Sequence, residues 1–139
     1  MSRVNKCAAG VAVFYKKTVL LGKRIKIYNG FRVPYGGYWS IFGGSVEKGE
    51  NSKECAAREL EEETKLQVSM DNLIYIKTIS DSLVDFSFYA TELPYLINPT
   101  LNEEHTEFGW FSVNALHDFP GKIDSKILKC IDLYCGKQK

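Results

Sequence analysis

The chain has little histidine, no paired cysteines, almost no net charge and no long apolar run. Its two histidines, His105 and His117, have no metal-ligand spacing and read as ordinary surface residues. The four cysteines, Cys7, Cys55, Cys130 and Cys135, form no CxxC pair. A zinc site is therefore not expected. Scattered cysteines in a chain of this size are as a rule small, reduced, buried hydrophobes, which points to a cytoplasmic setting. Lys and Arg number 18 against 17 Asp and Glu, a formal charge of +1, so no basic field is present to attract polymeric nucleic acid. No apolar run reaches the roughly 18 residues needed to span a membrane. The opening, MSRVNKCAAGVAVFYKK, has only a short apolar run before Lys16 and Lys17, and reads as a strand rather than a signal peptide. Internal repeats and low-complexity tracts are also missing.

What is present is the composition of an ordinary globular protein: 45% hydrophobic and 25% charged residues in 139. That length is expected to make one domain, residues 1–139, with a core that needs no staples. Residues 7–15 and 18–22 are β-branched apolar runs that read as a hairpin. Residues 25–38 mix Gly, Pro, Asn and aromatics and read as a long loop. Residues 39–42 read as a short buried strand, which Gly43-Gly44 then breaks. From Asn51 the pattern turns helical. Asn51 or Ser52 caps it, Glu54 completes a capping box from Asn51, and Ala56, Ala57, Leu60 and Thr64 form one apolar face. Residues 73–80 and 84–93 read as strands, 94–107 as an acidic loop and 108–113 as a strand. A last helix over 125–134 carries Ile127, Leu128 and Ile131 on an apolar stripe. Strands before and after a central helix imply an α/β fold, a mixed sheet covered on both faces.

The chemistry concentrates between Gly44 and Leu66. Glu59, Glu62 and Glu63 have the i, i+3, i+4 spacing that places three side chains on one helix face. Crowded carboxylates repel unless water or a cation compensates them, and Mg²⁺ prefers such oxygen ligands together with phosphates and waters. A main-chain carbonyl at the Gly43-Gly44 turn offers a further oxygen. Arg58 is within i,i+4 reach of Glu62, and Glu50 meets it from the loop side, so the two would orient the ligands. Leu60 should anchor the helix in the core and Glu61 should face solvent. Taken alone, an ELEEE helix is usually no more than a solvated face.

The spacing changes that balance. Gly44, Glu50, Arg58, Glu59, Leu60, Glu62, Glu63 and Leu66 stand as G-x5-E-x7-R-E-U-x-E-E-x-K-U, with U a bulky aliphatic. This resembles the Nudix box, matching eight of its nine fixed positions over 23 residues. The flanks Trp39-Ser40-Ile41-Phe42-Gly43-Gly44 and Phe108-Gly109-Trp110-Phe111 resemble the family as well. The resemblance covers most of the chain. It implies a Nudix-type α/β/α sandwich with a mixed central sheet, and a MutT-like pyrophosphohydrolase acting on a nucleoside di- or triphosphate derivative.

Carried over residue by residue, Glu59, Glu62 and Glu63 with the Gly43 carbonyl would bind Mg²⁺ or Mn²⁺. Arg58 and Glu50 would hold them in place. Glu59 or Glu62 would take a proton, or a loop glutamate would: Glu103, Glu104 and Glu107 compete, with Glu104 and Glu107 slightly favoured. Lys23 and Arg24 end a strand where relatives often touch phosphate or base. In the 25–38 loop Arg32 is a candidate phosphate ligand, and Tyr28, Phe31, Tyr35 and Tyr38 are candidates to stack on a base. Trp39 and Trp110 read as core. The partner would be a small nucleotide. Family members are often dimers, though no residue here marks an interface. Nucleotide-sugar or ADP-ribose hydrolysis, and nucleotide sensing without turnover, are the other readings. The one departure is Lys65, where the box has glycine. A lysine forced into the left-handed region there costs on the order of 1 kcal/mol, partly offset by its charge at the helix C-terminus.

Overall fold

A computed structural model describes residues 5–137; residues 1–4, the start of the stretch read as a strand, lie outside it, as do 138–139. Strand β1 (Lys6–Tyr15) turns at Lys16 into β2 (Thr18–Arg24), the expected hairpin. Only Phe14↔Val19 and Tyr15↔Thr18 pair before the two strands diverge. The fork between them is filled by the next strands. Strand β5 (Trp39–Ser40) pairs with β2, and β6 (Phe42–Ser45) pairs with β1. Between β2 and β5 the expected loop carries a small ribbon, β3 (Ile27–Tyr28) with β4 (Phe31–Arg32). Its Asn29-Gly30 turn has positive φ at both residues, the signature of a tight hairpin turn.

Gly43-Gly44 does not break the strand, as the sequence led us to expect. Both glycines lie inside β6, because they serve close approach rather than turning. A side chain at Gly43 would collide with the Ala9 carbonyl of β1, and one at Gly44 would meet the Glu59 carboxylate 2.5 Å away.

Helix α1 (Ser52–Thr64) follows, then β7 (Ile74–Ser80), β8 (Val84–Glu92), β9 (His105–Ser112) and α2 (Ser125–Lys137). Strand β8 runs parallel to β1 from Lys6↔Val84 to Phe14↔Glu92, while β7 and β9 pair antiparallel to β8 and β2. The sheet is mixed, and a helix covers each face. Two corrections follow. Strand β9 begins at His105 instead of 108, and α2 runs to Lys137 instead of 134.

Alternation along the central strands feeds two cores. Ala9, Val11, Val13 and Leu20 pack with Cys55, Ala56 and Leu60 of α1. Ala12, Phe14, Val19 and Leu21 pack with Ile127, Cys130, Ile131 and Tyr134 of α2. Burial on both faces is why β1 reads as an unbroken apolar run. Trp39 and Trp110 pack half-buried against these cores. Cys55 and Cys130 are buried as expected, whereas Cys7 is exposed.

Candidate active site

Helix α1 starts as its sequence dictates. Asn51 Oδ1 accepts from the Glu54 amide at 2.8 Å, and Glu54 Oε1 accepts from the Asn51 amide at 2.9 Å. One turn on, Arg58 grips Glu50 with two bonds, Nε to Oε2 at 2.7 Å and Nη2 to Oε1 at 3.0 Å. The same guanidinium donates to Glu59 Oε1 at 3.0 Å, to Glu62 Oε2 at 3.0 Å and to the Ser45 carbonyl at 3.1 Å. A planar five-donor fork is suited to this geometry. It holds the Glu50 carboxyl down at about 2, and the carboxylates in turn raise the affinity of Arg58 for its proton.

Beyond Arg58 the carboxylates are less well compensated. Glu63 is only 1% exposed, and its Oε1 has no hydrogen-bond partner. Burial, reinforced by the nearby Glu104 and Glu59 carboxylates, pushes its carboxyl up to about 9, against a hydrogen bond from the Gly43 amide. Burial also raises Glu59, whose side chain is 14% exposed. Glu62 is more open, at 53%, and turns onto Arg58; Glu61 is exposed, and Leu60 is fully buried. Among the described residues no three acidic, His or Cys side chains already enclose one point. The donor set nevertheless fits a hard divalent cation. It consists of oxygens alone and includes the buried, unpartnered Glu63 Oε1.

The structure separates the loop glutamates. Glu103 accepts from the Tyr28 hydroxyl at 3.1 Å, and Glu107 pairs with Lys23 at 3.5 Å. Glu104 alone of the three faces Glu63 and Glu59. What aims it is a bulge. Lys23 pairs with Glu107 but Arg24 with His105, so Thr106 is an extra residue in β9. The bulge flips His105 onto the α1 side of the sheet. There its ring lies 4.8 Å from Phe42 and fills the space that a side chain at Gly22 would need. His105 is thus 5% exposed and not a surface residue; burial lowers it to about 4, and neither ring nitrogen has a partner. His117 is exposed as expected, and pairs with Asp132 at 2.8 Å.

The NUDIX domain profile matches residues 4–131. The chain belongs to the Nudix family. Its fold superposes on a MutT Nudix hydrolase from Burkholderia pseudomallei at 20% identity and a TM-score of 0.76, covering 94% of this chain and 98% of that one. The Nudix domain of Shewanella oneidensis NrtR, solved with ADP ribose, gives 0.78 at 16% identity over 99% and 91%. A dihydroneopterin triphosphate pyrophosphohydrolase from E. coli gives 0.71 at 20% over 94% and 96%. At these identities the likeness is one of fold. A curated relative, an octanoyltransferase of Myxococcus xanthus, is 36% identical over 92 residues, 61% of this chain. The chain spans only 26% of that protein, so octanoyl transfer is not carried over.

The Nudix box opens onto a cleft of about 620 Å³. Its lining includes Gly43, Gly44, Glu59 and Glu104, the polar Asp81, Asp124 and Lys126, and Arg24, Tyr35 and Tyr38. Arg24 bonds the Pro34 carbonyl at 3.2 Å, while Lys23 and Arg32 lie outside the lining. No motif in the sequence marked Asp81, Asp124 or Lys126, because only the packing of α2 against β7 and β8 brings them together.

Proposed function

We propose that this Nudix protein is a divalent-metal-dependent hydrolase of a phosphoanhydride in a nucleoside di- or triphosphate derivative. The observation that carries the reading is Glu63: a buried carboxyl with an unpartnered oxygen, beside Glu59 and Glu104. A buried carboxyl beside other carboxylates keeps its proton unless a counter-charge is supplied. Arg58 is spent on Glu50, Glu59 and Glu62. A cation is the partner that the cluster lacks.

Glu59, Glu62, Glu63 and the Gly43 carbonyl would hold Mg²⁺ or Mn²⁺. Such an ion, when bound, supplies charge neutralisation on the anhydride and acidifies a bound water. Arg58 and Glu50 position the ligands. Glu104 would take a proton from an attacking water, a reading supported by its nearness to Glu63 and Glu59; Glu107 is the weaker candidate for that role, being paired with Lys23. Arg24, which lines the cleft, would meet substrate phosphate.

The test is a panel of dNTPs, ADP-ribose, dinucleoside polyphosphates and GDP-sugars with Mg²⁺ or Mn²⁺. Wild type should release phosphate or pyrophosphate from at least one member, and Glu62→Gln and Glu63→Gln should abolish that release. Unchanged turnover in both variants would sink the reading. ADP-ribose is the second substrate to examine, because the NrtR Nudix domain was solved with that ligand. Nucleotide binding without turnover across the panel would indicate a sensing module instead.

A further inference from the structure

The aromatic that guards the cleft stands where its own backbone disfavours it. Residues Val33–Gly36 form a tight turn, closed by the Gly36 amide on the Val33 carbonyl at 2.9 Å. Pro34 takes the second position, as such turns prefer. The third position needs positive φ, and glycine or asparagine is the ordinary choice. Here it is Tyr35, with φ of 58°. The next turn, Tyr35–Tyr38, obeys the rule, with Gly37 at φ 82° in the matching position. The chain therefore has glycines at hand one residue away and still places a bulky aromatic in the left-handed region.

Packing does not account for the choice. Tyr35 is 53% exposed, so little burial offsets a conformation that costs on the order of 1 kcal/mol. Among the described residues three other non-glycine residues have positive φ. Lys16 and Asn29 sit in hairpin turns, and Lys65 caps α1. None of the three lines the cleft; Tyr35 does. Its turn is also anchored. Arg24 Nε bonds the Pro34 carbonyl, the Gly37 amide bonds the Arg24 carbonyl at 2.8 Å, and Tyr38 meets the Tyr35 ring edge-on at 5.3 Å. The same cleft is lined by the apolar Ile79, Val84 and Ile127 and by the polar Asp124 and Lys126. A local rule broken at an anchored, exposed position in a cavity lining marks function.

We propose that Tyr35 is the stacking platform for the planar base of the substrate, held in a strained turn so that its ring faces the cleft. This rests on reading the cleft as a nucleotide site. It assigns the substrate to nucleotides bearing an aromatic base, and separates them from base-free sugar diphosphates.

The experiment compares wild type with Tyr35→Asn and Tyr35→Phe. Asparagine tolerates the turn, so Tyr35→Asn should melt at or above the wild-type temperature. It should also raise KM for the preferred nucleotide about ten-fold, the usual size of a base-stacking contact, with kcat little changed. Tyr35→Phe should keep wild-type KM. Neither variant should alter KM for 5-phosphoribosyl diphosphate, which has sugar and anhydride but no base. Calorimetric binding of the α,β-methylene analogues of ATP and GTP gives a readout independent of turnover. If nucleotides are hydrolysed and Tyr35→Asn leaves KM unchanged, or weakens the base-free compound equally, the platform is refuted while the hydrolytic reading stands. If nothing is turned over but an analogue binds in a Tyr35-dependent way, the platform stands and the hydrolytic reading falls. If nothing is turned over and neither analogue binds, the platform is refuted.

Discussion

At the scale of single residues, the site is organised by which carboxylates are compensated. Glu50 has Arg58 and is held acidic; Glu63 has burial and two like charges and is held far up. The sign of the consequence is fixed. The folded Glu63 keeps its proton to about pH 9, while the unfolded one loses it near 4.5. Stability of metal-free protein should therefore fall as pH rises through that window. Urea denaturation at several pH values in EDTA reads this directly, and Glu63→Gln should flatten the slope. An equal slope in the variant would place the titrating group elsewhere. Arg58→Lys keeps the charge but cannot reproduce the fork on Glu50. We expect an activity loss of roughly 10–100-fold, the usual effect of removing a partner that orients ligands, with the melting temperature changed far less; near-normal turnover would show that the fork does not orient the ligands.

At the scale of elements, termini and irregularities do the positioning. Lys65 caps α1 with φ of 65°, where its amide bonds the Glu61 carbonyl at 2.9 Å. Lys65→Gly should stabilise the protein by about 1 kcal/mol; a loss on chemical denaturation would mean that the lysine charge outweighs the strain. The Thr106 bulge sets His105 as a buried neutral wedge. Its folded value of about 4 lies below the ordinary 6.5. The unfolded state thus binds the extra proton, and stability should drop as pH falls from 6.5 towards 4. His105→Leu should remove that acid-side drop. Persistence of the drop would assign it to another group.

At the scale of the molecule, fold and site are one object. Helix α1 docks its Leu60 face on β1 while its glutamates lie against the glycines of β6. A cation bound there joins helix to sheet, so Mg²⁺ should raise the melting temperature in a saturable way that EDTA reverses. No Mg²⁺ effect would return the acidic helix to an ordinary solvated face. Among the described residues no helix is long and apolar enough to cross a membrane.

Local rules acting on local residues made much of this legible beforehand. The capping box at Asn51, the buried face at Leu60, the Arg58–Glu50 pair and the left-handed turn at Lys65 all depend on neighbours within one or two helical turns. So did the exposure of Glu61 to solvent. Three features escaped. Gly43-Gly44 looked like a breaker because glycine serves turns and close approaches alike, and only the presence of β1 and Glu59 distinguishes the two. His105 looked like a surface residue because the bulge that buries it is a matter of register between β9 and β2. Glu104 could not be told from Glu103 and Glu107, since which of them faces the box depends on the same register. Sequence spacing alone, then, determined the family, the helix and its acidic face, because those interactions close within one segment. Which carboxylates lack a partner, which loop glutamate meets them and where the cleft leads were decided only when distant strands paired, because buried charge and cavity shape belong to segments that meet across the sheet.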